Sequence, residues 1–186
     1  MEDNGLRERV RSKEEVFSGK LLSVERWQAE VADGRIAPRE IVKHPGGAGV
    51  VALDSRGNVC LVQQYRIAMG RVMMEIPAGK RDSPEEDFLA CARRELSEET
   101  GLTADHWQSL VALDTSPGFL TERIGVYLAT RLAQGSQHPD EDERLRLRWM
   151  PLSEAVSLVM AGGITDAKTV AGLLMSWEIT RKTAGA

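Results

Sequence analysis

The chain has 186 residues, of which 42% are apolar and 28% charged, and its formal net charge is −4. This length suits one domain with a sizeable core. We expect no membrane span, because no run approaches ~20 apolar residues, and no secretion signal, because the N-terminus is charged. Cys60 and Cys91 lack metal-type spacing, which favours reduced core thiols and a cytoplasmic location. The acidic balance disfavours a nucleic-acid polymer as partner, but it leaves a small anionic ligand open.

The first half of the chain is predicted to be mainly β-structure. Residues 1–16 are charged and polar, which favours a loose arm or a short helix. Two hairpins follow, with turns at Asp33-Gly34 and Arg56-Gly57. A third short strand, RVMMEIP, ends at Pro77.

The second half mixes helices and strands. Helical periodicity runs from Glu86 to Thr100, with Ser83-Pro84 as the expected start and Gly101 as the stop. Strands are predicted at about 106–114, 121–130 and 144–150, and helices at 152–160 and 165–181. This order predicts an α+β or α/β sandwich.

The predicted helix carries an unusual charge pattern. Glu95, Glu98 and Glu99 are three or four residues apart, so their carboxylates project from adjacent sides of one helix. Like charges at these spacings repel, and Glu99 lies near the negative end of the helix dipole. One interpretation is a solvated face with an Arg94–Glu98 pair. The other is a cation site, because a bound divalent ion would reverse the electrostatic cost.

A family resemblance favours the cation site. Residues 94–102, R-E-L-S-E-E-T-G-L, match the second half of the Nudix hydrolase motif at every specified position, and Ile76-Pro77-Ala78-Gly79 resembles the turn that opens it. The family spacing has five residues between the glycine and the first glutamate, whereas six separate Gly79 from Glu86 here. We place the insertion in the loop KRDSPE, and either Glu85 or Glu86 is the first motif glutamate. The resemblance implies the Nudix fold, an α/β/α sandwich.

The resemblance also implies a reaction, in which Nudix enzymes hydrolyse a nucleoside diphosphate linked to another group with the help of divalent cations. Clustered carboxylates without nearby His or Cys suit Mg²⁺ or Mn²⁺. Glu95 and Glu99 are implied as metal ligands, joined by the carbonyl of Ala78, with Gly79 allowing close approach of the backbone. Two further residues are implied in the catalytic centre: Glu98, which binds metal or orients its neighbours, and Arg94, which buttresses the carboxylates.

Several stretches outside this motif resemble the ADP-ribose pyrophosphatase branch. They include REIVKHPGGAGVVAL, VQQYRIAMG followed by MEIPAGK, and Pro117 at fifteen residues after Leu102. In this branch a glutamate outside the motif acts as general base or completes the metal site. Glu141 is the candidate base and Glu143 the candidate ligand, with exchangeable roles, and either is alternatively part of an acidic surface loop. His138 is an alternative base by its chemistry.

Contacts to the substrate are assigned to five residues, one of which is Gly79 of the Ala78-Gly79 turn. Arg39 and Arg66 are candidates for phosphate pairing, with a strand-edge salt bridge as the alternative for each. Trp27 is a candidate to stack on adenine, with core or dimer packing as the alternative. Glu122 resembles a ribose-contacting glutamate.

The branch resemblance implies a homodimer built from two parts of each chain. Residues 1–45 are expected to be an N-terminal arm and antiparallel strand extension exchanged between subunits, and residues 46–186 the catalytic domain. The expected reaction is Mg²⁺-dependent hydrolysis of ADP-ribose to AMP and ribose 5-phosphate. The alternatives are another nucleotide-sugar pyrophosphatase, of the GDP-mannose or ADP-glucose type, and a non-catalytic nucleotide sensor.

Overall fold

The computed structural model describes residues 5–83, 85–137 and 144–184. Within these ranges it contains ten strands and three α-helices. The strands are β1 Arg9–Ser18, β2 Ser23–Glu30, β3 Ile36–Lys43, β4 Gly47–Leu53, β5 Asn58–Arg66, β6 Arg71–Glu75, β7 Ala78–Lys80, β8 Leu102–Asp114, β9 Arg123–Gln134 and β10 Arg146–Pro151. The helices are α1 Phe88–Thr100, α2 Leu152–Met160 and α3 Ala167–Ala184.

The chain divides into two compact units. The first comprises Met1–Gly46 with Asp114–Glu122, and the second comprises Gly47–Leu113 with Arg123–Ala186. In the first unit β1, β2 and β3 form an antiparallel sheet in that order. The segment 114–122 joins β3 through hydrogen bonds from Val42 N to Phe119 O (2.7 Å) and from Thr121 N to Val42 O (2.9 Å).

Strand β1 corrects one sequence-based prediction. A loose arm or short helix was expected for residues 1–16, but the chain from Arg9 to Ser18 is a strand paired with β2. Every side chain of β1 is exposed. The strand therefore lacks the alternation of buried and exposed residues by which strands are recognised in a sequence. Its position depends on backbone pairing with β2, which the side-chain pattern does not encode.

The second unit is built on a seven-stranded mixed sheet. Its main order is β10-β5-β4-β9-β8, with β6 beside β5 and β7 beside β4. Strands β4 and β9 are parallel, whereas β5 and β7 both run antiparallel to β4. All seven residues of β4 are buried, as expected of a strand covered on both faces.

Two hydrophobic clusters cover the two faces of this sheet. Val50 and Ala52 of β4 pack in one cluster with Leu96 of α1. Val51 and Leu53 pack in the other, which contains residues of α2 and α3 such as Leu173. Because successive strand residues point to opposite faces, α1 lies on one side and α2 and α3 on the other. The predicted α+β class and α/β/α sandwich are therefore confirmed.

The ends of α1 are partly as predicted. Gly101 ends the helix in the left-handed region, with φ of +70°, which favours glycine. The predicted start at Ser83-Pro84 is wrong, because α1 begins at Phe88. Asp87 is the N-cap, and its Oδ1 accepts hydrogen bonds from Leu89 N (2.8 Å) and Ala90 N (3.3 Å). Ser and Asp are both good N-caps, so composition alone did not distinguish the two positions.

No α-helix among the described residues is long and apolar enough to cross a membrane.

Candidate active site

Two carboxylates of α1 are buried and a third reaches solvent. Glu99 is 2% exposed and Glu95 is 9% exposed, whereas the side chain of Glu98 is 40% exposed. Glu95 and Glu99 are one helical turn apart and therefore lie on the same face. Burial of two like charges is costly unless partners compensate for it, so the surroundings of this pair decide what it does.

The turn before α1 supplies part of that compensation. Ala78 N donates a hydrogen bond to Glu99 Oε2 at 2.9 Å. A Cβ atom placed on Gly79 would lie 2.1 Å from Glu95 Oε1 and 2.3 Å from Glu95 Oε2, so glycine is required for the carboxylate to approach the backbone. Strand β7 pairs this turn with β4, with Gly79 opposite Ala48. The turn and the helix thus meet at the two predicted metal ligands.

Arg94 connects the remaining carboxylates. It donates to Glu86 Oε1 (3.1 Å), Glu95 Oε1 (2.8 Å) and Glu98 Oε2 (3.0 Å), and also to the carbonyl of Lys80 at 2.9 Å. Burial opposes the charge of Arg94, but the hydrogen bonds to these carboxylates raise its pKa above the ordinary range. Arg94 therefore stays charged and fixes the orientation of its neighbours.

The same contacts distinguish the two candidates for the first motif glutamate. Glu86 pairs with Arg94, and its Oε2 accepts a hydrogen bond from Asp82 N at 2.8 Å. Glu85 is exposed. Glu86, in the loop before α1, thus forms an ion pair with Arg94 of the helix.

The cysteines near the site are core residues, as predicted. Both are buried and free. Burial and the charge of Glu99 raise the pKa of Cys60 to about 12. Burial, with the charges of Glu95 and Glu86, raises the pKa of Cys91 to about 12.

The donor set fits a hard divalent cation. Glu95 and Glu99 present carboxylate oxygens, which Mg²⁺ and Mn²⁺ prefer, and Gly79 leaves open the space that a Cβ atom would fill. In the described part of the chain no group of three or more His, Cys, Asp and Glu side chains is arranged to hold a metal, so this pair requires other ligands. The predicted Glu141 and Glu143, together with His138, lie outside the described residues.

Arg66 forms a salt bridge with Glu75, which is the alternative named above for this residue. Its Nε and Nη2 donate to Glu75 Oε1 (2.7 Å) and Oε2 (2.9 Å), and Lys168 Nζ donates to Glu75 Oε2 at 2.5 Å. Burial alone would raise the pKa of Glu75, but Arg66 and Lys168 outweigh it and lower the pKa from 4.5 to about 2.

Glu75 and Lys168 were not among the site residues predicted from the sequence. Two signals pointed to them: an acidic residue in the apolar strand RVMMEIP, and a lysine at the start of a helix, where the helix dipole disfavours a cation.

Three of the predicted substrate residues, Trp27, Arg39 and Glu122, belong to the first unit. Trp27 Nε1 donates to Glu25 Oε2 at 2.5 Å, and Lys13 Nζ lies 4.4 Å from the ring centroid. Arg39 forms a two-point pair with Glu8, at 3.1 and 2.5 Å. The contacts of Glu122 are a hydrogen bond from Thr115 Oγ1 (2.8 Å) and an approach of 3.3 Å to His44 Nδ1. Each residue already has a local partner, and for Arg39 this is the salt bridge named above as its alternative.

An open pocket of about 540 Å³ lies in the second unit. One of its residues, Gln137, donates through Nε2 to the carbonyl of Glu99 at 2.5 Å, so the pocket borders the C-terminal end of α1. Polar and cationic side chains predominate in its lining, which consists of Gln63, Tyr65, Val72, Gln137, Arg144, Leu145 and Arg146. Such a lining suits a polar, anionic ligand.

Comparisons with known proteins place the chain among known relatives. Residues 43–172 match the model of the NUDIX domain. The chain is 40% identical to an ADP-ribose pyrophosphatase of Mycobacterium tuberculosis over 91% of this chain and 83% of the relative. It is also 40% identical to an ADP-ribose pyrophosphatase of Bacillus subtilis over 88% of this chain and 89% of the relative. A GDP-mannose pyrophosphatase of Cronobacter sakazakii is 34% identical, over 74% and 78% respectively.

A structural comparison supports the fold. The crystal structure of an ADP compounds hydrolase superposes with a TM-score of 0.83 at 23% identity, covering 96% of this chain and 97% of that one. The match to the family model and the 40% identity to the relatives show that the chain belongs to the NUDIX domain family. The Nudix hydrolase resemblance drawn from residues 94–102 is confirmed, and members of the family generally need a divalent metal ion.

Substitution of Gly79 by alanine should weaken metal binding while the fold persists. The new Cβ atom would displace the end of the Glu95 side chain, which is flexible, rather than the backbone. We expect the Mn²⁺ dissociation constant to rise by about 10- to 100-fold in calorimetric titration. Gly163→Ala is the matched control, because its nearest contact is an ordinary 3.4 Å to Leu158 O. Equal Mn²⁺ affinity in the two variants would contradict the assignment of Glu95 as a ligand.

Substitution of Glu75 by glutamine should destabilise the protein in a pH-dependent way. Breaking the buried pair should lower the free energy of unfolding by about 3 kcal/mol at pH 7. Because the pKa of Glu75 is lowered on folding, its contribution is present above pH 4.5 and is lost as the pH falls towards about 2. In urea unfolding, the difference from the wild type should shrink over that range. A constant difference down to pH 3 would show that the charge of Glu75 is not the cause.

Proposed function

We propose that this chain hydrolyses the diphosphate of ADP-ribose, with Mg²⁺ or Mn²⁺, to AMP and ribose 5-phosphate. The observation that carries the proposal is the buried pair Glu95 and Glu99, which meets the Ala78-Gly79 turn. The pair occurs in a chain 40% identical to two proteins named ADP-ribose pyrophosphatase. The two carboxylates suit a cation, and a cation is what an anionic diphosphate needs in order to bind beside them.

The metal-binding residues of this proposal are Glu95, Glu99 and the carbonyl of Ala78, with Glu143 as a further ligand. A divalent cation held there would neutralise charge on the diphosphate and lower the pKa of a bound water. The contribution of the protein is to fix the donors in advance. Arg94 holds Glu95 and Glu98 through its guanidinium, and Ala78 N holds one oxygen of Glu99.

Glu141 is assigned as the general base that accepts the proton of the attacking water. Glu143 and His138 are the alternatives for this role. The water oxygen forms a bond to one phosphorus, the bond from that phosphorus to the bridging oxygen breaks, and the base accepts the proton. Glu98 is half exposed and paired with Arg94, which suits it to orient the neighbouring carboxylates. General base catalysis of this kind contributes roughly 100- to 10,000-fold to a rate.

Binding of the substrate is assigned to Arg66, Arg39, Trp27 and Glu122. Glu75 holds two N–H groups of Arg66 out of the five that a guanidinium carries, so Arg66 has further donors for a phosphate. Trp27 offers an aromatic face, on which a cation already stacks. An adenine would compete for that face by the same stacking forces.

We also propose a cytoplasmic homodimer. The N-terminal strands, residues 1–45, reach the partner subunit, so that Trp27 and Arg39 serve the partner's substrate. The two free buried cysteines support a reducing compartment. Size-exclusion chromatography with light scattering tests the assembly, because a homodimer has twice the molar mass of one chain.

The reaction is tested with a panel of nucleoside diphosphate compounds. Purified protein with Mg²⁺ should convert ADP-ribose to AMP and ribose 5-phosphate faster than it hydrolyses ADP-glucose or GDP-mannose. Products are identified by mass spectrometry, and ¹⁸O-labelled water identifies the phosphorus attacked by the product that carries the label. The substitution Glu99→Gln should lower kcat by roughly 100-fold or more, because it replaces a carboxylate oxygen with an amide nitrogen.

The control for this substitution is Glu178→Gln on α3, where the carboxylate pairs with Arg181 and Lys182 at the surface. Unchanged turnover in Glu99→Gln would contradict the metal-ligand assignment. Preference for GDP-mannose or ADP-glucose would favour the nucleotide-sugar alternative. Binding of ADP-ribose without hydrolysis by the wild type would favour the non-catalytic sensor.

A further inference from the structure

A buried charge network lies just before the Ala78-Gly79 turn. Glu75 is 3% exposed, and its two oxygens accept hydrogen bonds from Arg66 and Lys168. Lys168, whose side chain is 11% exposed, also lies 3.0 Å from Asp166 Oδ2. Two cations and two anions therefore alternate, and their formal charges cancel. The network joins β5, β6 and the start of α3.

The start of α3 makes a second contact with the same segment. Thr169 is fully buried, and its Oγ1 accepts a hydrogen bond from Ile76 N at 2.9 Å. The same hydroxyl donates to Asp166 Oδ2 at 2.6 Å, which leaves its lone pairs for Ile76. We call Asp166, Lys168 and Thr169 the α3 clamp. It holds the side chain of residue 75 and the backbone of residue 76.

Helix stability does not account for this arrangement. A lysine in the first turn of a helix opposes the helix dipole, and an ordered lysine loses side-chain entropy. Apolar residues of similar volume are often as stable as a buried ion-pair network. What the network provides instead is a defined geometry, because each charge has one set of partners. The α3 clamp is therefore better suited to positioning than to stabilisation.

The clamped segment leads directly into the proposed site. Ile76 precedes Pro77, which has no N–H and whose carbonyl accepts from Val50 N at 2.9 Å. Ala78, the next residue, donates to Glu99. The clamp and α1 therefore fix the two ends of one short segment. The clamp also reaches Arg66 through Glu75, and the Arg66 side chain is 39% exposed.

We propose that Lys168 and Thr169 are positioning residues for the diphosphate hydrolysis proposed above. Thr169 fixes the backbone that leads to the Ala78 carbonyl. Lys168 neutralises Glu75, so that the Arg66 guanidinium keeps its positive field for a phosphate. The inference rests on the proposed function, and neither residue is itself required to touch the substrate.

Two pairs of variants test the proposal. Thr169→Val keeps the shape of the side chain but removes the hydroxyl, and it should lower kcat by about 10- to 100-fold through misplacement of the turn. It should also raise the Mn²⁺ dissociation constant of the protein without substrate. Thr169→Ser should restore both values. Lys168→Met should raise KM for ADP-ribose by about 10-fold with a smaller change in kcat, and Lys168→Arg should restore KM.

The matched control is Thr180→Val, because Thr180 on the same helix donates a hydrogen bond to Ser176 O and lies outside the clamp. Equal kinetic losses in Thr169→Val and Thr180→Val, measured well below both melting temperatures, would overturn the role of Thr169. Equal KM in Lys168→Met and the wild type would overturn the role of Lys168. This test does not depend on whether Thr169→Val folds.

The assay separates this inference from the proposed function. If the wild type hydrolyses no diphosphate, the proposed function fails, and the clamp is then judged by Mn²⁺ binding alone. A weaker Mn²⁺ affinity in Thr169→Val, restored in Thr169→Ser, supports the role of Thr169 in positioning the turn. An unchanged affinity in Thr169→Val overturns it.

Discussion

The burial of two glutamates on one helix is the constraint on which the rest of the site depends. A carboxylate removed from water must find its partners inside the protein. Glu99 receives the N–H of Ala78, and Glu95 receives Arg94. Both contacts require the turn to approach the helix closely, and a side chain on Gly79 would prevent that approach. The sheet satisfies the requirement by pairing β7 with β4, the strand against which α1 packs.

The short segment from Glu75 to Gly79 connects the two faces of that sheet. Ile76 packs in the cluster that includes Leu173 of α3, whereas Ala78 donates to Glu99 of α1. A displacement on the α3 side can therefore reach the carboxylates on the α1 side through four peptide units. Close packing makes such a segment respond to small changes at either end.

The sequence was informative wherever side-chain pattern and local chemistry agreed. Turn residues and periodicity predicted the two hairpins, including strand β4, and the end of α1 at Gly101. The motif at 94–102 located the carboxylates. Strand β1 was missed because its residues are all exposed, so no periodicity marks it. The ion pair between Glu75 and Lys168 was also missed, because 93 residues separate the two partners along the chain. Contacts of that kind are set by the tertiary fold.

The state of Cys91 bears on the chemical durability of the site. Its Sγ lies 3.7 Å from the carbonyl of Gly79, close to the carboxylate helix, yet its pKa is raised to about 12. At neutral pH the thiol therefore stays protonated, and the reactive thiolate is suppressed. Peroxides and alkylating agents attack thiolates, so a cysteine beside this turn is a poor target for either. The thiol closest to the Gly79 carbonyl is thus a buried, weakly nucleophilic group, and the chemistry of the turn is left to its carboxylates.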